Sequence, residues 1–172
     1  MLRSHCSLLA LALLGLCGCA SAPPPPAGFT LAIQFGSVNP VAIDTLRITI
    51  TPRSDAAGDH VFMDIFPTMY EEGGVTVDVE DDGVLVLSIT GDYVRSHLAS
   101  DQPLMPRFEI ELWSDDDGPT REGPQVRATV VRDGEQIATG AAFLPGWPLE
   151  LGASSQITVP CSPAYTTQCA GM

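Results

Sequence analysis

The chain has no lysine: all eight basic side chains are arginine, set against 21 aspartates and glutamates for a formal charge of −13. So negative a surface repels phosphate backbones and anionic headgroups, so neither nucleic acid nor a polybasic membrane contact is expected. Aromatic residues make up only 6% of the sequence, and of three histidines only His60 and His97 follow the leader; with Met63, Met69 and Met105 they could form a copper site, but Met63 shares the core phase of Val61 and Ile65. The one pronounced apolar run, Leu8 to Leu16, is far short of the roughly 20 residues that a bilayer-spanning helix needs. Signature nucleophile and phosphate motifs are missing as well. Gly152-Ala153-Ser154-Ser155-Gln156 departs from a Gly-x-Ser-x-Gly elbow at its last position, and there is no His-Glu-x-x-His or phosphate-cradling glycine loop, so no enzyme is expected. What is present is 45% apolar residues, enough for a core, with 16 glycines and 15 prolines spread so as to interrupt long helices. One domain is the expectation for 172 residues.

Arg3, the short apolar run and then Leu16-Cys17-Gly18-Cys19 have the layout of an export signal. This end resembles the lipobox of bacterial lipoprotein precursors, in which a leucine, two small residues and a cysteine direct acylation of the thiol and cleavage before it. The resemblance implies a signal peptide over residues 1–18 and lipidation at Cys19. Cys17 fits less well, since Leu16 would then occupy the small-residue position. In that family Ala20, rather than aspartate, after the cysteine implies transfer to the outer membrane, with the domain on its periplasmic or surface-exposed face. Cleavage there leaves seven arginines against 21 carboxylates. Acyl chains on Cys19 would bury methylenes at roughly 0.8 kcal/mol each, so the membrane is reached through lipid without any basic patch.

Residues 19–28 read as the lipid anchor and a linker, because Pro23-Pro24-Pro25-Pro26 favours an extended polyproline II stalk. From residue 29 to 160 the apolar period is two. Phe29, Leu31, Ile33 and Phe35 alternate with polar or small residues, as do Leu46, Ile48 and Ile50, then Val61, Met63 and Ile65 within Asp59–Phe66, and Phe108, Ile110 and Leu112. A further strand is expected near Ser155–Val159, and the one short helical pattern is Tyr93–Leu98. The spacing predicts two hairpins. A three-residue loop Asp81-Asp82-Gly83 opposes Glu80 to Val84 and puts Val75, Val77 and Val79 on a buried face with Ile89, Leu87 and Leu85. A two-residue type I′ loop at Asp133-Gly134 opposes Arg132 to Glu135, Val130 to Ile137 and Val126 to Ala141. About eight short strands with turn residues between them imply an all-β fold, an antiparallel sandwich. Its layout resembles the immunoglobulin or fibronectin III modules of envelope proteins, without the cysteine pair and core tryptophan of a true immunoglobulin domain.

Cys6 and Cys17 would leave with the signal and Cys19 would carry lipid, so Cys161 and Cys169 remain to pair in an oxidising compartment. Closing so small a ring is worth about 2.5 kcal/mol and would pin a tail, residues 161–172, too polar to pack alone. The pair lacks the Cys-x-x-Cys spacing of a redox catalyst. Clustered carboxylates stand at Asp78, Glu80 and Asp82 and at Asp115, Asp117 and Glu122. Oxygen-rich loops are the right material for calcium, yet Pro119 and Arg121 sit where ligands would be useful, and Asp and Gly are ordinary hairpin-end residues. No cofactor is expected; calcium is the one ion these groups could hold. The reading is therefore a non-catalytic binding or scaffolding lipoprotein of the cell envelope, its protein or glycan partner unspecified. The alternatives are a calcium-dependent adhesion or glycan-binding module, and a hydrolase with dispersed residues in which a Ser–His contact or two approaching carboxylates should meet.

Overall fold

A computed structural model describes residues 27–51, 73–80, 84–99, 106–114, 123–146 and 152–172. Nine strands lie among them: β1 Ala27–Gln34, β2 Thr45–Thr51, β3 Val75–Val79, β4 Leu85–Thr90, β5 Leu98–Ala99, β6 Arg107–Ser114, β7 Gln125–Arg132, β8 Glu135–Phe143 and β9 Ala153–Thr158. They form a four-stranded sheet in the order β5-β6-β1-β9 and a five-stranded sheet in the order β3-β4-β2-β7-β8. One hydrophobic cluster joins the inner faces of both sheets, so the fold is an all-β sandwich. Its period-two residues lie where the pattern puts them: Phe29, Leu31, Ile33, Leu46, Ile48, Ile50, Phe108, Ile110 and Leu112 are all buried. Six ladders are antiparallel, whereas β1 and β9 run parallel, from Phe29 beside Ala153 to Gln34 beside Thr158. Crossovers between sheets bring β9 back alongside the first strand in the same direction, an outcome that no local pattern encodes.

Several expectations shift in detail. Strand β1 begins at Ala27, opposite Ser114, so two residues assigned to the linker belong to the sheet. The expected strand Asp59–Phe66 lies outside the described residues. The short helix, α1, spans Gly91–Ser96 rather than Tyr93–Leu98, because Thr90 Oγ1 accepts from the Tyr93 amide as its N-cap and Leu98 joins β5. The first hairpin has the expected register: Val75, Val77 and Val79 oppose Ile89, Leu87 and Leu85, and the Glu80 amide donates to the Val84 carbonyl at 2.9 Å. Burial fades along β3, however, from Val75 through half-buried Val77 to Val79 at 71% exposed. β3 is the outermost strand of its sheet in the described order, and its last residue has no core left beneath it.

The second hairpin turns at Asp133 and Gly134, both with positive φ as a type I′ turn requires, and opposes Arg132 to Glu135. Beyond that pair a β-bulge corrects the expected register: Val130 faces Ala138 and Val126 faces Ala142, not Ile137 and Ala141. Ile137 is the extra residue of this bulge, and it and Ala138 are both buried.

The tail explains why both are needed. After β9 the chain runs antiparallel to β8 at an Ala138–Cys161 bridge, the Ser162 amide donates to the Ile137 carbonyl, and a 3-10 turn, Pro163–Tyr165, leads into α2, Thr166–Cys169. Cys169 is buried and bonded to Cys161 with the Cα atoms 6.2 Å apart. The tail expected as a separate segment is thus packed onto the sandwich. It lies at the end of β1 opposite Ala27, since the Val159 amide donates to the Gln34 carbonyl and the Asn39 amide to the Cys169 carbonyl. About 25 Å of strand separates these N-terminal and C-terminal poles.

Candidate functional site

The expected carboxylates that fall within the described residues sit on the outer face of the five-stranded sheet. Asp78 and Glu80 are exposed at the N-terminal pole, as their phase requires. Neighbouring rows cross all five strands in register. One runs Thr76, Ser88, Arg47, Thr129, Thr139; the next runs Asp78, Val86, Thr49, Arg127, Ala141. Thr129 and Thr139 bring their hydroxyls to 3.3 Å. This is a face of hydroxyls and charges, with Val86 as an apolar exception that is only 4% exposed.

Arg47 forms the ion pair of this face. Its Nη2 donates to Glu80 Oε1 at 3.0 Å. Because β4 lies between β2 and β3, an ion pair from Arg47 to Glu80 must cross above β4, where Val86 stands between Ser88 and Val84. One of the proposed calcium ligands is thereby engaged by a guanidinium. Asp82, Asp115, Asp117, Glu122 and the lipidation residue Cys19 lie outside the described residues. Among the described residues no three His, Cys, Asp or Glu side chains come together as a metal group.

A Ser–His contact does form: Ser96 Oγ lies 2.8 Å from His97 Nδ1. Its geometry is that of a helix end. Ser96 Oγ donates to the Tyr93 carbonyl at 2.9 Å, and His97 Nδ1 lies 3.0 Å from the same oxygen. A hydroxyl has one proton to give, and here it goes to the Tyr93 carbonyl, which also accepts the His97 amide at 3.1 Å at the end of α1. The imidazole stacks on Tyr93 with centroids 4.0 Å apart, and Tyr93 in turn meets Phe108 edge-on in the core. The pair thus stands at the C-terminal end of α1, with both side chains directed at the same carbonyl.

At the C-terminal pole the disulfide-closed tail carries its own contacts. Arg132 Nη1 donates to the Gln168 carbonyl, and Asn39 Nδ2 donates to the Ala170 carbonyl. The Glu135 carboxylate beside Tyr165 repels its phenolate and accepts its hydrogen bond, and partial burial adds to this; together they hold the phenol above its usual pKa of 10.0.

Sequence reasoning paired Cys161 with Cys169 and turned Asp78 and Glu80 outward, but missed Arg47. The signal available was its outward phase in β2; what could not be read was that β3 and β2 flank a common neighbour. Comparison with protein-family models, with curated proteins and with solved structures yields no match.

Proposed function

We propose that this chain is a lipid-anchored, non-catalytic binding or scaffolding module of the cell envelope, attached at Cys19 to the outer membrane. The observation that carries this reading is the Cys161–Cys169 disulfide, which belongs to an oxidising compartment and agrees with an exported leader. The disposition of the ends supports it further. β1 starts at one pole and the disulfide-closed tail lies at the other, so a proline stalk preceding β1 would present the closed pole away from the bilayer. The working surface is then the outer face of the five-stranded sheet, hydroxylated and mixed in charge, where polar groups specify a partner.

Metabolic labelling with fatty acid tests the anchor. Cys19→Ser should abolish labelling and leave an uncleaved precursor, whereas Cys17→Ser should retain both label and cleavage. Label that survives the loss of Cys19 would overturn the lipoprotein reading.

A further inference from the structure

We propose that residues 161–172 form a disulfide-locked strap that reduction releases, uncovering the Ile137–Ala138 step of β8 while both sheets stay folded. Much of the strap faces solvent: Pro163, Ala164, Thr166, Thr167, Gln168 and Ala170 are exposed, and only Cys169 is buried, with Cys161, Ser162, Tyr165 and Gly171 partly so. Beyond the disulfide, its hold rests on a few hydrogen bonds, of which Arg132 to the Gln168 carbonyl and Tyr165 to Glu135 lie between its two ends. Ser162 and the Cys161 bridge grip β8 at one end, and Asn39 grips the Cys169 and Ala170 carbonyls at the other. The single covalent bond joins those two grips, so its loss turns a closed ring into an open, polar dozen residues with little apolar surface to hold them. Beneath lie Ile137 and Ala138, the consecutive buried residues of the bulge, and the Ile137 carbonyl that Ser162 satisfies. The sheets do not depend on the strap for their ladders, which pair strand with strand throughout.

A dithiol is the chemical class that opens it. One thiolate attacks the sulfur of half-buried Cys161, the more accessible of the two, and expels Cys169 as a thiolate that takes up a proton. The second thiol of the reductant then closes on its own sulfur of the mixed disulfide, leaving as a cyclic disulfide, and Cys161 takes up the second proton. Two electrons and two protons pass to the protein.

Amide hydrogen exchange on the full-length protein, oxidised and then fully reduced with dithiothreitol, reads the outcome. Release predicts that the amides of Asn39 and Ser162, and those from residue 164 to 171, exchange about tenfold faster or more on reduction. Amides at Leu31, Ile48 and Val130 should stay as protected as before. The Cys161→Ser/Cys169→Ser double variant should match the reduced protein, which separates loss of this bond from reduction of any other cysteine. Unchanged exchange at Asn39 and Ser162 after complete reduction would overturn the proposal. So would loss of protection across both sheets, which would make the bond a brace for the whole fold.

Discussion

The Arg47 side chain leaves β2 and pairs with Glu80 at the end of β3, so the ion pair spans β4, the strand that carries Val86. Both charged groups are about half exposed, and an ion pair in that setting contributes only ~0–1 kcal/mol. The stem should matter more, because it keeps water from an apolar side chain on the polar face. Arg47→Met, which keeps an unbranched stem, is expected to change unfolding free energy by no more than about 0.5 kcal/mol, and Arg47→Ala to cost about 1 kcal/mol more than that. Equal costs in urea denaturation would show that charge and not cover is what Arg47 supplies. At the opposite pole the exposed Glu135 and its neighbour Tyr165 set a pH limit on the tail. The folded pKa of the phenol is raised, so the stabilisation is complete below the unfolded value of 10.0 and is lost as pH climbs through the folded one. Glu135→Gln should bring the Tyr165 titration back toward 10.0, read as the phenolate absorbance that disappears in Tyr165→Phe; a titration unmoved by Glu135→Gln would remove that carboxylate as the cause.

Strand β3 offers a test within one element, since its residues share a face but not a depth. Val75→Asp should cost several kcal/mol by forcing a carboxylate into the core. Val79→Asp, on the same face but exposed, should stay within about 0.5 kcal/mol. Comparable losses at both positions would contradict the fading burial of this strand. The contrast also marks where the sequence is readable. Alternation and the charges of Asp78 and Glu80 specified the β3–β4 register, because the slipped alternative sends a carboxylate among leucines. Asp133-Gly134 specified its own turn and the first pair beyond it. The bulge that follows was not legible, since Ile137 and Ala138 are both buried on account of a tail more than 20 residues downstream. The parallel β1–β9 pairing and the Arg47–Glu80 pair were hidden for the same reason: strand order is a long-range property, and neither β9 nor β3 announces its neighbour. The candidate site was therefore legible as residues facing solvent and not as an arrangement of them.

Across the described residues, two sheets share one core, and the start of β1 and the disulfide-closed tail lie at opposite poles. That polarity suits a domain held by its N-terminus, with a covalently closed tail against β8 at the far end. An acidic exterior without lysine gives no electrostatic route to a membrane, so attachment through acyl chains at Cys19 is the central claim. It is tested most directly by the mass of the protein's N-terminal peptide after detergent extraction from membranes. The account predicts a peptide that begins at Cys19 and carries acyl chains on that residue. An unacylated N-terminal peptide, or one beginning elsewhere with Cys19 absent or as a free thiol, would contradict it.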